Sequence, residues 1–297
     1  MTNEIWKPIP DGISIKEPTY SKLISELYDV SWLGKVSSEE IEYYRTHIQG
    51  LTTLEVTCGS GRVFVPLLQA GCNIYGIDMS IPMLDNLKSR LSSSNYYRVI
   101  RWDTLQTPYP VAGESFERII IPFSSFTIMH SLHLDELDDN KAFHEFYRIL
   151  RPGGLVIISD PRTYVFDKSG DVSGSIAWQE LQGKDPVAFN GRVEDGKLLY
   201  TFNKQHPKHG AIREEWSNGY KLIETRLFPA QVIQEIEKVF ICVKDNQILE
   251  KQQESFPIWD IDDYPKIGEE AGFEYFKKEE TPNFYPYNSV SHVFRKT

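Results

Sequence analysis

The sequence predicts an α/β fold: a doubly wound, mainly parallel sheet with an antiparallel insertion after its fifth strand. Three observations predict it. Apolar runs alternate with amphipathic stretches over the first half of the chain, the pattern of successive βαβ units. The runs at 119–121 and 155–158 are unbroken apolar sequence, as strands covered on both faces require. After Asp160 the chain becomes more polar and its apolar segments become strand-like.

The elements follow in order. "SKLISELYD" (21–29) predicts a first helix. A second starts at Ser37, which has capping-box spacing to Glu40, and Ile41, Tyr44 and Ile48 fall on one of its faces. Five core strands are expected at 51–57, 73–78, 96–101, 116–121 and 155–159, with helices at 61–70, 80–91 and 138–150. In "RILRPGGLVIIS", Pro152 suits the second position of a type II turn and Gly153 supplies a positive φ at the third. The insertion contributes strand segments at 197–203 and 219–228, then two strands within 239–256 around Lys244-Asp245-Asn246. "IDDYPKIGEEAGFEYF" reads as a short helix, a Gly272 cap and a returning strand, and 289–296 as the last strand. The expected organisation is an N-terminal helical cap (1–50), a core (51–160), an antiparallel lid or substrate insertion (161–258) and a C-terminal helix with strands that complete the sheet (259–297).

Length and composition narrow the function. The 297 residues are 40% hydrophobic and 25% charged, enough to bury a core for one large domain with an insertion. Net charge is −10, and Lys and Arg form only short patches such as "FRK". A nucleic-acid partner needs a phosphate-neutralising surface that this sequence does not advertise. No apolar stretch approaches the roughly 20 residues that span a bilayer, and the first residues lack the pattern of a secretory signal. Cys58, Cys72 and Cys242 are too few for a disulfide framework, so a reducing cytoplasm is expected. The pairs His130/His133 and His206/His209 lack further ligands at metal-binding spacing, so no metal is expected. A small-molecule partner fits, with the chain as monomer or homodimer. An acidic mouth would suit a cationic or amine acceptor.

The chemistry concentrates at "LEVTCGSGRV" (54–63). A strand, a glycine bend and a helix place free backbone N–H groups at a helix N-terminus, and glycines allow close approach of a ligand. A dinucleotide site would need a third small residue, where Phe64 stands, and the Gly-Lys-Ser/Thr ending of a P-loop is missing. What remains is Glu55-Val56-Thr57-Cys58-Gly59-Ser60-Gly61. It resembles motif I, E/D-x-G-x-G-x-G, of the class I S-adenosylmethionine-dependent methyltransferases. Asp78 ends the next strand, "RWDTLQTP" (101–108) resembles the third motif, "RIIIPFSSF" the fourth strand and its loop, and "RILRPGGLVIIS" the turn before the fifth. The resemblance runs over about residues 18–160 in order and spacing, and departs at Thr57, where the family usually has glycine.

The resemblance implies a Rossmann-like fold, S-adenosylmethionine as cofactor and S-adenosylhomocysteine as product. It points to the small-molecule subgroup, similar to glycine N-methyltransferase and aminosugar N-methyltransferases, with N- or O-methylation by in-line displacement. Carried over by position, the cofactor would be held by Tyr20, Glu55, Thr57, Cys58, Gly59, Gly61, Arg62, Asp78, Met79, Asp103, Thr104 and Ile121. Asp78 would accept the ribose hydroxyls, Asp103 would sit near the adenine amino group, Met79 would pack on the ring, and Arg62 would pair with the methionine carboxylate. Asp160 and Tyr28 are candidates to orient or deprotonate the acceptor, and Trp32, Ser124 and Phe126 to line its pocket. Rival readings are a binder of the cofactor or its product without transfer, and a protein or nucleic-acid methyltransferase. Against the latter, "IPFS" (121–124) lacks the Asn/Asp-Pro-Pro-aromatic loop of amino-methylating DNA enzymes.

Overall fold

The structure, a computed structural model, describes residues 5–9, 15, 20–30, 36–123, 125–129, 139–161, 190–194, 197–201, 220–230, 233–242, 247–257, 263–284 and 287–297. The chain divides into two compact units. One comprises 1–26, 36–161 and 262–297, and the other 27–35 and 162–261.

The first unit is built on a seven-stranded sheet. In chain order its strands are β1 (Thr53–Val56), β2 (Ile74–Asp78), β3 (Val99–Arg101), β4 (Phe116–Ile121), β5 (Leu150–Pro161), β11 (Phe273–Phe284) and β12 (Tyr287–Lys296). Their spatial order is β11-β12-β5-β4-β1-β2-β3. The first five run parallel, while β12 is antiparallel to both β5 and β11. This is the doubly wound, mainly parallel, Rossmann-like sheet expected. Because the order reverses between β1 and β4, the carboxyl ends of these strands flank a switch point, where ligands of open α/β sheets bind.

The second unit contains the antiparallel sheet β10-β9-β8-β7-β6. Its strands are β6 (Asn190–Glu194), β7 (Lys197–Thr201), β8 (Tyr220–Ala230), β9 (Ile233–Cys242) and β10 (Ile248–Pro257). The expected antiparallel insertion is therefore present. Its first strand and the full length of β9 go beyond the sequence reading, and the Lys244–Asn246 turn lies outside the described residues.

The helices are α1 (Lys22–Val30), α2 (Ser38–Ile48), α3 (Phe64–Gln69), α4 (Ile81–Ser89), α5 (Ser125–Met129), α6 (Asp139–Ile149) and α7 (Asp263–Glu270). Ser37 caps α2 by accepting from the Glu40 N–H at 3.0 Å. Ser80 caps α4 by accepting from the Met83 N–H at 3.3 Å. Gly272 follows α7 at φ +95° and its N–H bonds the Glu269 carbonyl, the left-handed exit its position predicts.

Three boundaries differ from expectation. The helix expected at 61–70 starts at Phe64, because the bend ahead of it holds Gly61 at φ +85°, outside helical geometry. Residues 96–98 belong to a 3-10 helix, Ser93–Arg98, so β3 is short. The Pro152-Gly153 turn does not precede β5 but lies inside it. Phe116 pairs with Leu150 and Arg118 with Leu155, so the turn is looped out of the ladder with Gly153 at φ +73°.

Phe64, too bulky for close helix–strand packing, finds its room in β2. A Cβ at Gly76 would lie 2.8 Å from Cys58 Sγ and 3.1 Å from Phe64 Cε2. The missing side chain at 76 lets α3 and the bend settle onto the sheet, so the third small residue of the usual pattern has been replaced by one on the neighbouring strand. Phe64 lies in a buried cluster with Ile74, Ile120, Ile157 and Val293, all fully buried.

Candidate active site

Thr57 to Arg62 leave the carboxyl end of β1 and turn back toward α3. The turn is closed by Cys58 N–H to Ile77 C=O at 3.0 Å, Gly61 N–H to Cys58 C=O at 2.9 Å and Val65 N–H to Gly61 C=O at 3.0 Å. Three residues of the bend have positive φ: Thr57 (57°), Gly59 (53°) and Gly61 (85°). Gly61 is required twice over, since a Cβ there would also lie 2.9 Å from Leu87 Cγ. At Gly59 an added Cβ would meet only the Thr57 carbonyl, at 4.0 Å, so the outer face of the bend is open.

Thr57 stands where the family usually has glycine and keeps the glycine conformation. A β-branched residue at positive φ is strained, by about 1–3 kcal/mol. Thr57→Gly relieves that strain at the cost of a more flexible unfolded chain. The expected net effect is a gain of about 1 kcal/mol, read as a higher midpoint in thermal unfolding.

Asp78, at the end of β2, clamps this bend. Its Oδ2 accepts the Gly59 N–H at 2.8 Å and its Oδ1 accepts the Ser80 N–H at 2.8 Å. Its backbone carbonyl takes the Trp102 N–H at 2.9 Å, so one residue ties together the ends of β1, β2 and β3. Burial pushes the Asp78 carboxyl up to about 6, and the N–H groups of Ser80, Gly59 and Met79 oppose the rise. Two oxygens offer about four acceptor positions, so the carboxylate keeps capacity for further donors. Met79, next in the chain, is half-buried, and its carbonyl accepts from Arg101 Nε.

Asp103 and Thr104 follow β3 and are both buried. Asp103 Oδ1 accepts the Leu105 N–H at 3.0 Å, and the Thr104 carbonyl accepts the Tyr109 hydroxyl at 2.7 Å. Ile121 closes β4 in the core.

Beneath the bend lies a charged cluster. Arg62 donates to Glu40 of α2 through both terminal nitrogens, at 2.9 and 2.7 Å. The two side chains are only 7% and 2% exposed. The Arg62 guanidinium also sits 4.7 Å from the ring centroid of Phe123, in the loop after β4, a cation–π distance. Glu55, on β1, is buried, and its Oε2 has no hydrogen-bond partner among the described residues. Burial pushes its carboxyl well above the ordinary range; Arg62 opposes the rise, and Glu40 and Asp78 add to it. Cys58 is buried as well, its thiol pushed up by burial and by Asp78 and Glu55.

The expected site residues thus divide. Glu55, Thr57, Cys58, Gly59, Gly61, Arg62, Asp78, Met79, Asp103, Thr104 and Ile121 gather at the carboxyl ends of β1 to β4. Arg62 is committed to Glu40, which is at odds with the expectation that it pairs with a ligand carboxylate. Phe126 is fully buried, with ring centroids 5.4 Å from Phe143 and 5.7 Å from Tyr264. It therefore fills core, contrary to the expectation that it lines a pocket. Tyr20 is half-buried just ahead of α1, Tyr28 lies on α1 in the second unit, and Asp160 pairs with Val290 near the end of β5. Trp32, Ser124, His130, His133, His206 and His209 lie outside the described residues. Among the described residues, no group of three or more His, Cys, Asp or Glu could hold a metal ion, and no helix is long and apolar enough to cross a membrane.

The residue that sequence reasoning missed is Glu40, read only as half of a capping box. Its side chain does not serve the cap, because Arg62 takes both oxygens. The signal was available: Glu40, Tyr44 and Ile48 follow at four-residue steps on one helix face, and an acid in line with a buried stripe needs a basic partner.

Residues 54–158 match the family model described as a methyltransferase domain. This stretch is similar to methyltransferase domains. In the order of its motifs, this stretch resembles the class I S-adenosylmethionine-dependent methyltransferases. The chain is 22% identical over 184 residues to the putative methyltransferase YqeM of Bacillus subtilis (strain 168), a match that covers 57% of this chain and 70% of that protein. It spans less than two thirds of the length of several other curated relatives it matches. Among solved structures, it is similar in fold to the CcbJ methyltransferase from Streptomyces caelestis, with a TM-score of 0.64 at 15% identity over 92% of this chain and 95% of that one. It is also similar to CalS10, an amino pentose methyltransferase from Micromonospora echinaspora, with a TM-score of 0.54 at 13% identity over 91% and 97%.

Proposed function

We propose that the chain is an S-adenosylmethionine-dependent methyltransferase acting on a small-molecule acceptor, by N- or O-methylation. The observation that carries this reading is the Asp78 clamp: a buried carboxylate at the end of β2, bonded to the N–H of Gly59 in an open glycine bend at the end of β1.

The residues present fit the cofactor. Asp78 retains acceptor positions for the two ribose hydroxyls. The bend from Thr57 to Gly61 offers close backbone approach for the amino-acid end. The orphaned Oε2 of Glu55, just below, is a buried acceptor that a cationic group would satisfy. Asp103, Thr104, Met79 and Ile121 stand where an adenine would be held.

S-adenosylmethionine supplies a methyl carbon already activated by the sulfonium charge. The protein's part is then to bind, orient and exclude water, and orientation of this kind is worth up to roughly 7–11 kcal/mol. An amine acceptor that arrives neutral needs little base catalysis, whereas a hydroxyl gains about 10²–10⁴-fold from a positioned base. Asp160, near the carboxyl end of β5, is the candidate for that role in the first unit, and Tyr28 is the candidate in the second. A cytoplasmic setting and a monomer or homodimer go with this reading.

The test is transfer of a labelled methyl group from S-adenosylmethionine to a panel of small amines, amino sugars and phenols, read by mass spectrometry. A product carrying the labelled methyl group in place of one acceptor hydrogen, formed only when the chain is present, is expected. No labelled product from the panel or from a cell extract of small molecules, with the cofactor bound, overturns the transferase reading in favour of a binder.

A further inference from the structure

Glu55 poses a problem of charge. It is buried on the central strand β1, between Gly76 of β2 and Ile120 of β4 in the ladder. The groups that act on it are Arg62 from the bend, Glu40 from α2, Asp78 from β2 and the neighbouring Cys58 thiol. Arg62 is the only cation of the four, and Glu40 has taken it by a two-point contact. An ionised Glu55 would then be a buried charge with an unsatisfied oxygen, which costs several kcal/mol.

We infer that Glu55 is a neutral carboxylic acid in the free protein and gives up its proton when the cationic amino-acid end of the nucleoside binds, with Glu40 acting as the positioning residue that enforces this by withholding Arg62. The inference rests on the cofactor reading above. The proton passes from the Glu55 carboxyl to solvent, and the ligand's ammonium becomes the counter-charge that, among the described residues, only the Glu40-bound Arg62 could otherwise offer. Binding is therefore coupled to proton release, and acid weakens it through Glu55 as well as through Asp78.

Calorimetric titration of the full chain with S-adenosylhomocysteine at pH 7, in phosphate and in Tris, tests this. The two buffers differ in ionisation enthalpy, so the observed heats differ in proportion to the protons exchanged. About one proton released per site is expected. At that pH Asp78 is already mostly ionised, since its carboxyl is pushed up only to about 6. Glu55→Gln should remove the release. So should Glu40→Gln, although it leaves Glu55 in place, because the freed Arg62 then pairs with Glu55 and ionises it before the ligand arrives. Heats that do not depend on buffer in the unmodified chain overturn the inference while leaving the cofactor reading intact. Release that persists in Glu40→Gln overturns the role of Glu40. The absence of any saturable heat overturns the cofactor reading, and this inference with it.

Discussion

Asp78→Ala weakens S-adenosylhomocysteine binding by about 10²-fold or more, with the fold retained. Two contributions produce this. Hydrogen bonds to a charged group are worth about 1.5–3 kcal/mol each, and about 1.4 kcal/mol is tenfold in affinity, so loss of the bonds proposed to the ribose hydroxyls alone reaches that size. The substitution also frees the Gly59 and Ser80 N–H groups, each now held at 2.8 Å, and with them the shape of the bend. Titration calorimetry measures the loss, and circular dichroism checks the fold. Asp78→Asn separates charge from shape, because it keeps an acceptor oxygen near one N–H group. It should bind more weakly than the unmodified chain and without the pH dependence that Asp78 contributes. The sign of that dependence is fixed. The buried carboxyl is raised from 3.8 to about 6, so the native state holds this proton more tightly than the unfolded chain does. In the free protein Asp78 therefore lowers stability as pH rises through that window. Nucleoside affinity runs the other way and falls as pH drops through 6, because protonation removes acceptor capacity.

The second large effect is on stability. Arg62→Met leaves the Glu40 carboxylate buried with no cation, and breaking a buried pair on one side costs about 3–5 kcal/mol. It also removes the contact with the Phe123 ring, which links the bend to the loop after β4. Replacing both partners, Glu40→Leu with Arg62→Met, should recover most of the loss, because no orphaned charge remains. A double-mutant cycle in urea measures the coupling. If the double variant loses the sum of the two single losses, the pair contributes no coupling, and the site is held together by packing alone.

The sheet was legible because buried parallel strands leave long apolar runs, as at 116–121 and 155–159, and because the glycine bend carries its own signature. Boundaries were less legible where backbone geometry outvoted composition. Gly61 delays α3 to Phe64, and "RPGG" is looped out within β5 between the pairs Leu150–Phe116 and Leu155–Arg118, a register that no local pattern encodes. The bulk of Phe64 counted against one cofactor class, but whether it could be accommodated depended on Gly76, on another strand. Arg62 shows the same limit in the site. Its position beside the bend pointed to a ligand, whereas its partner comes from a helix 22 residues earlier in the chain. Long-range pairing of this kind is decided by the fold, and only the periodicity of Glu40 with Tyr44 and Ile48 hinted at it. Phe126 was placed by its loop, and the aromatic cluster with Phe143 and Tyr264 that claims it is again non-local.

The central claim is that the glycine bend and the Asp78 clamp together form the nucleoside site. Hydrogen–deuterium exchange of the full chain, with and without saturating S-adenosylhomocysteine, tests it most directly. Protection should concentrate in peptides covering 55–63, 78–80 and 102–104, since the amides of Gly59, Gly61 and Ser80 lie in the first two and Asp103 and Thr104 in the third. Protection confined to other segments, with these three unchanged, would contradict the account.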